Sequence, residues 1–139
     1  MTQAMTTEPI PVMLPPTALV IDDSAIQRSM LKRILTEAGF RVVGEAPTAD
    51  GLVRLYEHHR PDLVTLDIVM PGVDGAEAAA DLLGRYPEAT VVMCTSLTTR
   101  EKILACQRAG VRHYLLKPIV ADRAAAIFRH VVPRAKRSV

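Results

Sequence analysis

Residues 62–67, DLVTLD, form a short and nearly continuous apolar run that ends in Asp67, four residues before Pro71-Gly72. The run is too short for a helix and is followed by turn-forming residues, so we predict a β-strand. Its middle lacks the alternation of a half-exposed strand, which favours a strand covered on both faces. Such strands are typical of parallel sheets that lie between two layers of helices.

Four further runs of the same kind flank this one along the chain. They are ALVID (18–22), RVVGEA (41–46), ATVVMCT (89–95) and HYLLK (113–117). Amphipathic stretches separate them, with helices predicted at 25–38, 99–109 and 120–131. The first has a capping-box pair, Ser24 with Gln27, at its start, and Thr98 with Glu101 repeats that signature before the second.

Five strands that alternate with helices over short connections imply right-handed crossovers. The fold class is therefore α/β, with a five-stranded parallel sheet and helices on both faces. We place the domain at 17–132, after a disordered lead-in (1–16) and before a basic tail (133–139). The lead-in lacks the charged start and apolar run of a signal peptide, and no window approaches the roughly 18 apolar residues of a membrane span. We therefore expect a cytoplasmic protein.

Composition agrees with one globular domain. The 139 residues are 49% hydrophobic and 23% charged, and the net charge is only +2. The charge is unevenly spread, because residues 1–97 hold 7 basic and 13 acidic side chains, whereas residues 98–139 hold 10 and 2. Cys94 and Cys106 are expected as reduced thiols in or near the core, with a redox switch as the alternative.

Polar residues stand where the predicted strands end. In a parallel sheet these carboxyl ends meet at one edge, where functional residues gather. The residues are Asp22 and Asp23 after the first strand, Asp67 after the third, Thr95 and Ser96 after the fourth, and Lys117 after the fifth.

Three carboxylates held this close repel one another. A pair at 4 Å costs about 4 kcal/mol at a surface-like dielectric. A divalent cation would relieve this repulsion, and a site with only oxygen ligands suits Mg²⁺, with Mn²⁺ as a substitute. The site would prepare Asp67 as a nucleophile towards a phosphoryl group, with Lys117 neutralising the transferring oxygens. Taken singly, these residues also fit helix capping, a turn, an ordinary strand position and a solvated lysine; their joint occurrence favours the site.

The segments VIDDS (20–24), LDIVMPGVDG (66–75), CTS (94–96) and YLLKP (114–118) resemble the signature of receiver domains of bacterial two-component systems, of the stand-alone chemotaxis-protein type. The resemblance covers about residues 17–132. It implies a flavodoxin-like sheet with strand order 2-1-3-4-5. It also implies a single-domain response regulator that accepts a phosphoryl group from a histidine kinase and switches its partner-binding face. Such a protein assists its own phosphorylation and dephosphorylation and is not otherwise an enzyme.

The resemblance assigns the acidic residues. Asp67 corresponds to the phosphoacceptor. Asp22 and Asp23 correspond to the metal-binding pair, and Asp67 with the backbone carbonyl of Val69 completes the protein ligands of Mg²⁺. Val69 and Leu97 occupy two positions that tune hydrolysis in the family. Both are apolar, from which we hypothesise a long-lived phosphorylated state.

The resemblance also assigns the phosphate contacts and the switch. Lys117 and the hydroxyls of Thr95 and Ser96 would contact the phosphoryl group, and the Lys117–Pro118 bond is expected to be cis. Thr95 would move towards the phosphoryl oxygens, and Tyr114 would turn inward as it does so. A new dianion would thus bias a two-state element whose readout lies several residues away.

Two surfaces are expected to bind partners. Family kinases dock on the first helix, here at Arg28, Met30 and Lys32. The other surface combines helix 99–109, strand 112–117 and helix 120–131, and its positive charge suits an acidic downstream protein. Self-association through the same surface is an alternative, whereas nucleic acid is not expected because the chain shows no helix-turn-helix and has no Trp. Its basic residues include Arg100, Lys102, Arg108 and Arg112.

Other functions stay open beside this one. The receiver would act as a phosphorelay intermediate, or on a separate output protein, in place of motility control. A small-molecule phosphatase would need a second carboxylate two residues after the nucleophile, and Val69 stands there. A degenerate scaffold would be expected to lack Asp67, Lys117 or one of the acidic pair, and all are present.

Overall fold

The computed structural model describes residues 12–96, 100–132 and 136–138. Short strands alternate with helices along these ranges. None of the helices there combines the length and apolar character needed to cross a membrane. In chain order the elements are β1 Val12–Leu14, β2 Thr17–Ile21, α1 Ala25–Glu37, β3 Arg41–Ala46, α2 Leu52–His59, β4 Leu63–Asp67, α3 Gly75–Arg85, β5 Val91–Thr95, α4 Arg100–Ala109, β6 His113–Leu116, α5 Ala121–Val131 and β7 Lys136–Ser138.

The main sheet has five parallel strands in the order β3-β2-β4-β5-β6. Counted from β2, this is the predicted order 2-1-3-4-5, so the predicted fold class is confirmed. All five predicted strands are present, with ends that differ from prediction by two residues at most. The strand order brings the carboxyl ends of β2 and β4, and next to them β5 and β6, to one edge.

Apolar side chains cover the sheet on both faces. On one face, α1 and α5 pack over a cluster that includes Phe40 and Phe128, whose ring centroids lie 6.2 Å apart in an edge-to-face contact. On the other face, α2, α3 and α4 pack over a second cluster that includes Leu66, Leu82 and Met93. Strands β4 and β5 are buried along their whole length, as the continuous apolar runs predict.

Local signals in the sequence set the start and end of α1. The Ser24 hydroxyl accepts a hydrogen bond of 3.2 Å from the Gln27 N–H, which confirms the predicted cap. Gly39 follows the helix with φ of +98°, a left-handed conformation that glycine adopts readily. The second predicted cap falls on Thr98, which lies outside the described residues, and α4 is described from Arg100.

Two strands lie outside the range 17–132 predicted for the domain. β1 and β7 pair antiparallel, with Val12 opposite Ser138 and Leu14 opposite Lys136. The sequence predicts a disordered lead-in and a basic tail in these segments. The structure instead pairs residues 12–14 with residues 136–138 through a backbone ladder; the first stretch, VML, is apolar, whereas the second, KRS, carries no strand-like apolar pattern.

Both cysteines are unpaired and buried. Burial raises the pKa of the Cys94 thiol to about 12 and that of Cys106 to about 11. The predicted placement of both thiols in the core, without a disulfide, is confirmed. A redox switch would require a reactive thiolate, which these buried sites disfavour.

The core predicts a stability difference between neighbouring positions of α5. Phe128 is fully buried, so Phe128→Ala is expected to lower the free energy of unfolding by about 3–5 kcal/mol, because it removes apolar contacts and leaves a cavity. Arg129→Ala, on the exposed side of the helix, should change it by less than about 0.5 kcal/mol. Urea denaturation of both variants checks this, and equal losses would contradict the described packing.

Candidate functional site

Three carboxylates meet at the carboxyl edge of the sheet. Asp22 and Asp23 follow the last residue of β2, and Asp67 is the last residue of β4. These two strands are neighbours, with Ile21 opposite Leu66, so all three side chains reach the same place. One oxygen of each lies within 4.8 Å of the others. Asp22 and Asp67 are buried, whereas Asp23 is exposed.

Lys117 brings a positive charge into this group. Its ammonium Nζ lies 3.0 Å from Asp67 Oδ2 and 3.6 Å from Asp22 Oδ2. The Lys117 N–H donates a 2.7 Å hydrogen bond to the Thr95 carbonyl, just beyond the last paired residues of β5 and β6. The Lys117–Pro118 peptide bond is cis, as expected. The predicted meeting of Asp22, Asp23, Asp67 and Lys117 is therefore what the structure shows.

Burial sets the electrostatics of this group. Desolvation raises the pKa of Asp67 above its ordinary value, although the Lys117 ammonium opposes that rise. Burial disfavours the ammonium of Lys117 too, but the carboxylates of Asp67 and Asp22 outweigh it and raise the pKa of Lys117. In the described part of the chain, one ammonium pairs with two of the three carboxylates, so the negative charge of the group is only partly balanced.

The residues fit a divalent cation. Asp22 Oδ1 accepts a 2.9 Å hydrogen bond from the Ser24 N–H. Its Oδ2 atom is buried, and among the described residues no donor reaches it with hydrogen-bonding geometry. The Lys117 ammonium lies 3.6 Å from this oxygen, beyond hydrogen-bonding distance, so a cation that bound the oxygen directly would offset the cost of burying it. Three oxygen ligands with one exposed side are the chemistry of Mg²⁺ or Mn²⁺ sites.

The predicted switch residues occupy neighbouring strands. Thr95 is the buried last residue of β5, and its hydroxyl donates a 3.0 Å hydrogen bond to the Ser96 carbonyl. Tyr114 lies on β6 opposite Met93. Its ring is half-buried against the α2–α3–α4 face, and its hydroxyl donates a 3.1 Å hydrogen bond to the Val111 carbonyl. Leu97 lies outside the described residues, so its role in hydrolysis stays a prediction.

The loop after Asp67 lies close to its carboxylate. The Val69 N–H donates a 3.3 Å hydrogen bond to Asp67 Oδ1, and the Val69 side chain is 52% exposed. The role of the Val69 carbonyl as a metal ligand stays a prediction. An apolar, exposed side chain two residues after the carboxylate supplies no acid or base, which disfavours the small-molecule phosphatase alternative.

Gly75 is a residue whose role sequence reasoning missed. It begins α3, and its N–H donates a 2.9 Å hydrogen bond to the Ile68 carbonyl. A Cβ at this position would lie 2.1 Å from the Asp67 carbonyl oxygen and 2.7 Å from the Ile68 Cα. The start of α3 therefore touches the backbone of Asp67 itself. The Asp-Gly pair after Pro71-Gly72 signals a helix start but not this contact.

Sequence reasoning placed Lys102 on the partner surface but missed its ion pair with Asp74. Its Nζ lies 2.5 Å from Asp74 Oδ2, while Asp74 Oδ1 caps α3 by accepting from the Ala76 N–H at 2.7 Å. Lys102 thus ties α4 to the loop beside Asp67. Of the basic residues predicted for the partner surface, Arg100, Arg108 and Arg112 are exposed on α4 and before β6.

Comparisons with known proteins agree with this geometry. The family model described as "Response regulator receiver domain" matches residues 18–129. The chain is 37% identical to chemotaxis protein CheY of Listeria monocytogenes and 38% identical to that of Bacillus subtilis, each over 105 residues that make up 76% of this chain and 88% of the relative. A crystal structure of a CheX–CheY–BeF3–Mg²⁺ complex from Borrelia burgdorferi is similar with a TM-score of 0.79 at 27% identity, covering 86% of this chain and 90% of that one.

Two glycines of α3 give a matched prediction. Gly75→Ala is expected to lower the free energy of unfolding by about 1–3 kcal/mol, because its methyl group must displace backbone atoms of Asp67 and Ile68. Gly84→Ala, nine residues along the same helix, meets no described atom within 4 Å and should raise it by about 0.5–1 kcal/mol. Thermal or urea unfolding measures both changes. Stabilisation by Gly75→Ala would contradict the close approach of α3 to Asp67.

Proposed function

This chain belongs to the response-regulator receiver family, and on that premise we propose that it accepts a phosphoryl group from a histidine kinase on Asp67. The observation that carries the proposal is the ion pair between Lys117 and Asp67 inside a group of three carboxylates. A lysine and a nucleophilic carboxylate placed together suit the transfer of a dianionic group.

The transfer exchanges one bond to phosphorus for another. A carboxylate oxygen of Asp67 forms a P–O bond as the P–N bond of a phosphohistidine breaks. The leaving imidazole nitrogen keeps the electron pair and takes a proton from water. Lys117 already lies 3.0 Å from the Asp67 carboxylate, so it is placed to move its ammonium onto the transferred oxygens without a large rearrangement.

Asp22, Asp23, Asp67 and the backbone carbonyl of Val69 are the residues that would hold Mg²⁺, with Mn²⁺ as the proposed substitute. The buried Asp22 Oδ2 atom, which no described donor satisfies, supports this assignment. The similar Borrelia structure, a complex of CheY with CheX, BeF3 and Mg²⁺, supports it too. A bound cation would supply the positive charge that the three carboxylates lack and that phosphoryl oxygens need during transfer.

Thr95, Ser96 and Tyr114 form the proposed switch. Thr95 ends β5, and its neighbour Cys94 lies opposite Asp67 on β4. This register supports the proposal that the Thr95 hydroxyl moves towards a phosphoryl group on Asp67. Lys117 and the hydroxyls of Thr95 and Ser96 are the proposed phosphate contacts. Tyr114 lies on the next strand against the α4 side of the core, where a change at Thr95 would alter its packing.

The output surface is the face formed by α4, β6 and α5. Exposed Arg100, Arg108 and Arg112 give it positive charge, which suits an acidic segment of a downstream protein and association that weakens with salt. Lys102 belongs to this face but pairs with Asp74, so it is expected to contribute less. A homodimer through the same face is the competing occupant.

Phosphorylation at Asp67 can be tested without the kinase. Incubation with acetyl phosphate and Mg²⁺ should add one phosphoryl group to Asp67, mapped by mass spectrometry after borohydride trapping. Asp67→Asn and EDTA treatment should each abolish the addition, because the first removes the nucleophile and the second the charge-balancing cation. Asp81→Asn, at an exposed carboxylate of α3 paired with Arg85, is the control that should react like the wild type. Equal labelling of Asp67→Asn would contradict the proposal.

Val69 and Leu97, the apolar residues at the two hydrolysis-tuning positions, predict a long-lived phosphorylated form. Val69→Asn and Leu97→Glu each provide a polar group that can orient an attacking water, so each is expected to speed loss of the phosphoryl group by about tenfold, equivalent to ~1.4 kcal/mol in the barrier. Loss of label after removal of acetyl phosphate measures the rate. Unchanged rates in both variants would refute the hypothesis that these side chains slow hydrolysis.

A further inference from the structure

The side chain of Arg28, on α1, contacts the backbone of the site and is mostly buried. Its Nη1 donates a 2.7 Å hydrogen bond to the backbone carbonyl of Asp22, and its Nε donates one of 3.0 Å to Glu45 Oε1. The side chain is only 16% exposed. The family resemblance places Arg28 with Met30 and Lys32 among kinase-docking residues, but these contacts leave little of Arg28 for a docking partner.

Asp22 is held on every side. Its N–H donates to the Ala46 carbonyl at 3.1 Å, and its Oδ1 accepts from the Ser24 N–H at 2.9 Å. Lys117 approaches Oδ2, and Arg28 holds the carbonyl. Two of these four partners are backbone groups, and Lys117 is shared with Asp67. Among the described residues, Arg28 is therefore the side chain that donates to the backbone of the acidic pair.

Glu45 on β3 fixes Arg28 in place. Arg28 and Lys32 bind the two oxygens of Glu45, and the hydrogen bond from Lys32 is the largest cause of its lowered pKa. Glu45 lies opposite Val20 on β2, two residues before Asp22. A chain of contacts thus runs from the sheet through Glu45 and Arg28 to the Asp22 carbonyl.

We infer that Arg28 is a positioning residue that holds the β2–α1 turn, and with it Asp22 and Asp23, in the arrangement that receives the cation. The physical need is plain, because three neighbouring carboxylates repel one another and would open the turn if nothing fastened it. A site fixed before binding spends less free energy on ordering its ligands. This inference rests on the proposed function.

The planar shape of the guanidinium matters as well as its charge. Its Nη1 donates to the Asp22 carbonyl and its Nε donates to Glu45, whereas a lysine would have to make both contacts from one nitrogen. Loss of such supporting contacts typically weakens metal binding by about 10–100-fold. We therefore expect Arg28→Met to raise the Mg²⁺ dissociation constant by about tenfold or more, and Arg28→Lys to raise it by less.

The test measures Mg²⁺ binding to the unphosphorylated full chain by calorimetry, and the acetyl phosphate labelling rate over a range of Mg²⁺. Arg28→Met should need a higher Mg²⁺ concentration for half-maximal labelling but reach a rate near that of the wild type at saturating Mg²⁺. Arg28→Lys should need a concentration between those of Arg28→Met and the wild type. The matched control is Arg33→Met on the same helix. The Arg33 side chain is 82% exposed and pairs with Glu37, so this variant should bind Mg²⁺ like the wild type.

The outcomes separate this inference from the proposed function. If the wild type binds no Mg²⁺, both fail. If the wild type binds Mg²⁺ and Arg28→Met binds it equally well, only the positioning role of Arg28 is overturned. Circular dichroism verifies folding, and should Arg28→Met be unfolded, Arg28→Lys decides, since affinity equal to that of the wild type in that variant would also overturn the role.

Discussion

Repulsion among three carboxylates at one edge of the sheet is the constraint around which this structure is organised. Asp22 and Asp67 are buried, so water screens their charges poorly. Two donors come from nearby in the sequence, the Ser24 N–H and Arg28 on α1, whereas the Lys117 ammonium comes from the distant segment after β6. These contacts hold the carboxylates together but leave negative charge unbalanced. That imbalance explains why the site suits a divalent cation, whose positive charge would in turn favour a dianionic phosphoryl group.

The site residues are far apart in the sequence but lie close together because the sheet is parallel and its strand order is β3-β2-β4-β5-β6. Asp67 and Thr95 end their strands, and the acidic pair and Lys117 directly follow theirs. Gly75 and the Asp74–Lys102 pair then connect the loop after Asp67 to α3 and α4. A change at Asp67 therefore has direct contacts to elements of the proposed output face.

The sequence predicted the architecture well because its signals are local. Apolar runs of strand length, the Ser24–Gln27 cap and Gly39 depend only on neighbouring residues, and the five strands and the order of the sheet follow from them and from the family resemblance. The site residues were predicted because they stand at strand ends. Arg28, Gly75 and Lys102 were not, because their partners are set by how helices sit on the sheet. The β1–β7 pairing joins the two ends of the described chain, a separation that no local pattern reveals.

The central claim is that Asp67 accepts the phosphoryl group within the pocket it shares with Asp22, Asp23 and Lys117. A crystal structure of the protein with Mg²⁺ and beryllofluoride tests it most directly. We predict beryllofluoride on an Asp67 carboxylate oxygen, the cation against the three carboxylates, and Lys117 Nζ on a fluorine. Beryllofluoride and the cation bound elsewhere, with Lys117 still paired to an unmodified Asp67, would contradict it.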